Sequence, residues 1–210
     1  MLDGLSKHLI DPVWDWLASP FVWLKVTPNQ MTAIGLALVS ASCLAFFWHR
    51  STLVFGGTLA VAFAFDSLDG AVARRRNMTS RFGGYLDAVI DRYQELLVFL
   101  ALGWFTQQWL LAMLCFAGGV FTSYAKARTA IEAPVNNNNW PDLFERLERV
   151  IYLCALLIGD GLVAAIWGPS DWVLPLGLAI YAALAHATAI QRTIRASRYL
   201  ISIDQAPPDV

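Results

Sequence analysis

Five acidic residues stand where a chain this apolar should carry none. Asp66 and Asp69 close one long apolar run, and Asp87, Asp91 and Glu95 lie in the first half of the next. A spacing of three or four places side chains on one face of a helix, so Asp66 pairs with Asp69, and Asp87 with Asp91. The two helix ends that carry the pairs are joined by the short link Gly70–Phe82, so four carboxylates can converge on one cavity. Like charges that close repel unless a cation lies between them. Oxygen ligands with no His or Cys nearby suit a hard cation such as Mg²⁺ or Mn²⁺. The competing reading pairs the acids with Arg74, Arg75, Arg76, Arg81 and Arg92. No Ser-His or Cys-His arrangement suggests a covalent nucleophile. His8, His49 and His186 are scattered, and Cys43, Cys115 and Cys154 sit in apolar runs without metal-ligand spacing.

The elements that must position these acids are membrane helices. Of 210 residues, 57% are apolar and 15% charged, with a mean hydropathy of +0.51; soluble domains carry about 25% charged residues. A net charge of −1 and the absence of a basic stripe argue against nucleic-acid binding. Crossing a bilayer takes about 20 mainly apolar residues. Six segments qualify: Met31–Trp48, Thr52–Asp69, Tyr85–Phe105, Trp109–Tyr124, Val150–Trp167 and Val173–Ile194. Before them, Asp3–Leu24 mixes Trp14, Trp16 and Trp23 with Lys7, Asp11 and Asp15, the pattern of an amphipathic helix lying in the interface. Met1 is followed by Leu2-Asp3-Gly4 rather than a charged start and apolar core, so no secretory leader is expected. The expected fold is all-α: an interfacial helix in residues 1–25, a single six-helix membrane domain in 29–198, and a short tail in 199–210. Asn136–Asn139, between Pro134 and Pro141, reads as a loop tip. Small residues such as Gly56, Gly57, Gly118 and Gly119 permit close helix packing.

Orientation follows from Lys and Arg placement. With a cytoplasmic amino terminus, the inner segments hold Lys7, Lys25, Arg74, Arg75, Arg76, Arg81, Lys126, Arg128, Arg146, Arg149, Arg192, Arg195 and Arg198, and the outer loops hold only Arg50. Both termini and the acids are therefore expected on the cytoplasmic side of the cell membrane.

From Asp66 to Asp91 the chain reads DSLDGAVARRRNMTSRFGGYLDAVID. This resembles the signature of the CDP-alcohol phosphotransferases, D-x-x-D-G-x-x-A-R, eight residues, then G-x-x-x-D-x-x-x-D. Asp66, Asp69, Gly70, Ala73, Arg74, Gly83, Asp87 and Asp91 fill every specified position. A chance match at a given start is on the order of 10⁻¹⁰. Pro28, Asn29 and Thr32 match a further family motif before the first span. The resemblance implies that Asp66, Asp69, Asp87 and Asp91 hold two divalent cations, Mg²⁺ or Mn²⁺. It implies that Asn29, Thr32, Asp69, Gly70, Ala73 and Arg74 receive the CDP group, and that Asp91 is the general base. The implied activity belongs to phospholipid biosynthesis: transfer of a phosphatidyl or archaetidyl group from a CDP-lipid to a small alcohol, with release of CMP. A homodimer is the family's usual assembly.

Ser123, Lys126 and Arg128 follow the fourth span, and Arg146 and Arg149 precede the fifth, all bordering the face that carries the aspartates. Such a basic set suits a phosphorylated acceptor. The stretches Ser123–Arg128 and Glu145–Arg149 are similar to those of phosphatidylinositol-phosphate and archaetidylinositol-phosphate synthases, which implies inositol 1-phosphate. Glycerol 3-phosphate, the acceptor of phosphatidylglycerophosphate synthase, is the rival within the family. Outside it, a cation transporter would account for the acids, but not for Gly70, Ala73, Arg74 and Gly83 at fixed spacing. Glu95 continues the Asp87–Asp91 stripe by one turn, and structural pairing with a basic residue of another helix is the favoured reading.

Overall fold

The computed structural model describes residues 17–134 and 142–205. Most of the expected interfacial helix and the Asn136–Asn139 loop tip lie outside the described residues. Residues 17–23 are helical. Seven longer helices follow: α1 Pro28–His49, α2 Thr52–Asp66, α3 Leu68–Arg75, α4 Arg81–Thr106, α5 Trp109–Glu132, α6 Arg146–Trp167 and α7 Val173–Asp204. No strand occurs among the described residues.

Local chemistry sets the boundaries nearest the acids. Thr27 caps α1 by a capping box with Gln30, and Pro28 occupies the first turn, where its missing N–H costs nothing. Ser80 starts α4 by accepting from the Gly83 amide at 3.0 Å. Asn77, at φ +52°, ends α3, with Met78 N–H bonded to Ala73 O and Asn77 N–H to Arg74 O. That pairing is a Schellman motif, and Asn tolerates its left-handed position better than most residues.

Several expected boundaries are corrected. The segment Gly70–Phe82 is not a plain link, because helix α3 carries it to Arg75. Gly70 does not stop this helix, since Leu68, Ala71 and Val72 bury themselves against Ala18 and Met31. Likewise α5 runs past Tyr124 to Glu132, which places Ser123, Lys126 and Arg128 on a helix, and α7 runs through the first half of the expected tail to Asp204. No proline or glycine interrupts either extension.

Among the described residues, five helical stretches are long and apolar enough to cross a membrane: α1, α2 with α3, α5, α6 and α7. The expected third span, Tyr85–Phe105, lies in α4, whose 26 residues include Arg81, Asp87, Asp91, Arg92 and Glu95. The protein is a multi-pass membrane protein. Helix α2 packs on α1 and α6, α4 on α1 and α5, and α5 on α7. Their shared core runs from Val39 and Phe46 through Phe99 and Leu102 to Leu157 and Tyr181. Gly118 and Gly161 lie where the Ala185 side chain and the Leu53 backbone come closest. The three cysteines are buried and unpaired.

Candidate metal and nucleotide site

The end of α2, the start of α3 and the first half of α4 meet at one end of the bundle and carry the acids with them. Carboxylate oxygens of Asp66, Asp87 and Asp91 lie within 4.8 Å of one another. A cation with bonds of about 2.1 Å spans about 4.2 Å between opposite oxygens, so this spacing suits Mg²⁺ or Mn²⁺ after slight closure. Asp66 is buried to 2% exposure and Asp91 to 7%. Asp87 and Asp69 are half-buried, and Asp69 stands within electrostatic range of Asp66 and Asp87.

Three of the four carboxylates are aimed by a neighbour. Gln94 Nε2 donates to Asp66 Oδ1 at 2.9 Å, and Thr32 Oγ1 donates to Asp69 Oδ2 at 2.7 Å. Arg146 reaches across from α6: its Nη2 lies 2.9 Å from Asp66 Oδ2, 2.5 Å from Asp91 Oδ1 and 3.0 Å from Gln94 Oε1. Asp91 Oδ1 has no hydrogen bond of good geometry despite that ion pair, so it retains acceptor capacity. Gly35 of α1 has room for nothing larger, because a Cβ there would lie 2.5 Å from Asp66 Oδ1.

The residues expected to receive the nucleotide lie at the same end. Asn29 lines an open hollow of about 390 Å³ with Thr27, Pro28, Met78, Thr79 and Ser80. Its Oδ1 lies 3.5 Å from where a Cβ on Gly83 would stand. Gly70 and Ala73 are partly exposed on α3, and Arg74 is exposed one turn after Gly70.

The five residues assigned to the acceptor separate. Arg146 is among the acids. Ser123 accepts from Arg92 Nη1 at 2.7 Å, one helix over from Asp91. Lys126 is half-buried on α5. Arg128 pairs with Glu132 along its own helix. Arg149 is 2% exposed and holds Glu95 at 3.0 Å, the cross-helix pairing favoured for Glu95. Sequence reasoning passed over Gln94 and gave Arg92 only a pairing role. Gln94 lies seven residues after Asp87, on the same face as the aspartates, and that periodicity was available to find it.

The CDP-alcohol phosphatidyltransferase profile matches residues 25–193, which hold every residue of the site. The chain belongs to this family. The transferase is similar to the archaetidylinositol phosphate synthase of Methanothermobacter thermautotrophicus, at 31% identity over 90% of this chain and 88% of that protein. It is 32% identical to the phosphatidylinositol phosphate synthase of Mycobacteroides abscessus, over 81% of this chain and 80% of that one. Its fold matches the crystal structure of Mycobacterium tuberculosis phosphatidylinositol phosphate synthase with CDP-DAG bound, at a TM-score of 0.74 and 26% identity, covering 88% of this chain and 94% of that one. The same mycobacterial enzyme in complex with manganese and citrate gives a TM-score of 0.75 at 26% identity, over 88% of each chain.

Proposed function

We propose that this transferase moves the phosphatidyl or archaetidyl group of a CDP-lipid to inositol 1-phosphate, releasing CMP at the cytoplasmic face of the membrane. The observation that carries the reading is the meeting of Asp66, Asp87 and Asp91 with the Arg146 guanidinium. One centre thereby offers oxygen ligands, a base and a cationic group. Divalent cations held by Asp66, Asp69, Asp87 and Asp91 would neutralise the CDP diphosphate and polarise the reacting phosphorus. Asn29, Thr32, Gly70, Ala73 and Arg74 receive the nucleotide from α1 and α3. Asp91 takes the proton of the acceptor hydroxyl. The hydroxyl oxygen bonds to the lipid-bearing phosphorus as the bond from that phosphorus to the CMP oxygen breaks.

Arg146 places a permanent positive charge beside the base, which suits a phosphorylated acceptor over a neutral one. The inositol phosphate synthases among the relatives favour the same choice. The excess of Lys and Arg on the side of the acids supports a cytoplasmic site with both termini inside. A homodimer is taken over from the family as the working assembly.

The test is CMP release by the purified protein in detergent with Mg²⁺ and either CDP-diacylglycerol or CDP-archaeol. Inositol 1-phosphate, glycerol 3-phosphate, inositol and serine are offered in parallel, with Asp91→Asn as control. Release with inositol 1-phosphate, lost in the variant, is expected. Release with glycerol 3-phosphate alone overturns the acceptor, and no release from either lipid overturns the reading.

A further inference from the structure

Behind the aspartates lies a second set of charges that holding a cation and taking a proton do not require. Arg149 Nη2 donates to Glu95 Oε1 at 3.0 Å, and Arg149 Nη1 donates to the Phe144 carbonyl at 3.3 Å. The other oxygen of Glu95 faces Arg92 Nη1 at 3.0 Å. Arg92 in turn donates to Ser123 Oγ at 2.7 Å and to Gly119 O at 3.3 Å, while its Nη2 lies 3.8 Å from Asp91 Oδ2. Side-chain exposure rises along this series, from 2% at Arg149 through 7% at Glu95 to 22% at Arg92. The series therefore starts in the bundle interior and ends at the wall of the site.

Two features set it apart from ordinary packing. A Cβ on Gly119 would stand 3.0 Å from Glu95 Oε2 and 3.6 Å from Arg149 Nε, so α5 gives up a side chain to admit the pair. The carboxylate is also shared: Arg149 holds one oxygen of Glu95 and Arg92 the other, while the second edge of Arg92 is left facing Asp91 at 3.8 Å. Burying an ion pair rarely repays its desolvation, so a buried pair that fixes a third, partly exposed charge calls for a reason beyond stability.

We propose that Glu95, clamped by Arg149, is a positioning residue that holds the Arg92 guanidinium between Ser123 and Asp91 to receive the anionic phosphate of the acceptor. This rests on the transfer reaction proposed above. Arg92 offers two donor edges: one is anchored on Ser123 and Gly119, and the other lies toward the base. An anion bridging Arg92 and Ser123 brings its own hydroxyl groups next to Asp91. Glu95 and Arg149 touch no substrate and act by fixing Arg92.

The test is steady-state CMP release with Mg²⁺ and CDP-diacylglycerol, comparing wild type with Glu95→Gln and Arg92→Gln. Glu95→Gln keeps the shape and one acceptor oxygen but no longer balances two guanidiniums. The expected result is a KM for inositol 1-phosphate raised about tenfold, the loss of roughly one charge-assisted hydrogen bond. The KM for the CDP-lipid stays within about twofold, which is the split that separates acceptor binding from a general loss. Arg92→Gln leaves the Glu95–Arg149 pair intact and produces the same split even where Glu95→Gln is poorly folded. Thr52→Val is the stability control, because it breaks the buried Thr52–Asp160 hydrogen bond of 2.8 Å at the start of α2, a helix length from the acids; it lowers the melting temperature and leaves both KM values unchanged. Wild-type acceptor KM in both Gln variants, with melting losses like that of Thr52→Val, overturns the inference alone. A wild-type enzyme that releases no CMP overturns the transfer reaction and this inference with it.

Discussion

Replacing Gly35 by Ala adds one methyl group and tests how tightly the bundle presses on the metal site. The added Cβ would lie 2.5 Å from Asp66 Oδ1, 3.1 Å from its Cβ and 3.2 Å from its Cγ. All three atoms belong to one short side chain at 2% exposure, pinned by Gln94 and Arg146 at 2.9 Å each. A carbon-to-oxygen contact needs about 3.4 Å, so the carboxylate must retreat by nearly 1 Å or the helices must part. Overpacking of this kind costs about 1–3 kcal/mol, and the better helix propensity of Ala returns up to about 1 kcal/mol. The stability loss should thus be modest. The loss of function should be larger, because metal–oxygen bonds hold within about 0.2 Å of their ideal length and a carboxylate displaced by nearly 1 Å falls well outside that range. We expect Gly35→Ala to weaken Mn²⁺ binding at least about tenfold, read by Mn²⁺ electron paramagnetic resonance titration without substrate, while thermal unfolding in detergent shifts little. Gly57→Ala, where nothing lies within 4 Å of the new methyl, should change neither. Wild-type Mn²⁺ affinity in Gly35→Ala would refute the reasoning, since Asp66 would then be free to move or would not bind the ion.

Thr32→Val keeps the shape of the side chain but removes its 2.7 Å donation to Asp69; a hydrogen bond to a charged group is worth about 1.5–3 kcal/mol. The KM for the CDP-lipid should rise about tenfold or more with the acceptor KM unchanged, and a shift confined to the acceptor would place Asp69 on the wrong side of the reaction. Arg192→Met takes from Asp142, which is 1% exposed, the Arg192 Nε donor at 2.7 Å and leaves it only the longer contact with Arg195 at 3.4 Å. Breaking one side of a buried pair costs about 3–5 kcal/mol, so the melting temperature should fall sharply and recover in large part when Asp142→Leu is added. A single variant as stable as wild type would show that Arg195 alone suffices to hold Asp142.

The aspartates and most helices were legible because their information is local. Asp66 and Asp69, and Asp87 and Asp91, announce themselves by helical spacing inside apolar runs, and caps such as Thr27-Pro28 mark a helix start within four residues. What escaped depends on distant partners. Nothing near Arg149 says that Glu95, 54 residues earlier, will bury it, or that Arg146 one turn before will turn into the acid cluster instead. Both read equally well as cations at a membrane surface. Helix α3 escaped for a related reason: its sequence is charged and contains Gly70, and it is held by contacts with Ala18 and Met31 that local propensity does not encode. The ends of α5 and α7 lie beyond the expected spans because apolar length, the cue for a span, ends before the helical hydrogen bonding does.

Ser67, the single residue between α2 and α3, divides the site between two mechanical supports. Asp66, Asp87 and Asp91 rest on the large core shared by α1, α2, α4, α5, α6 and α7. Asp69 and Arg74 rest on the small cluster of Ala18, Met31, Leu68, Ala71 and Val72, tied down by Arg76 to the Lys25 and Val26 carbonyls at 2.8 and 2.7 Å. The free energy of local opening scales with the packing that must be given up, so the smaller support opens first. Amide exchange should therefore run faster in Leu68–Arg75 than in Thr52–Asp66, although the two helices are nearly continuous. Under the proposed function, a nucleotide held partly by each support would leave by loosening one of them, without disturbing the carboxylates that the next turnover needs.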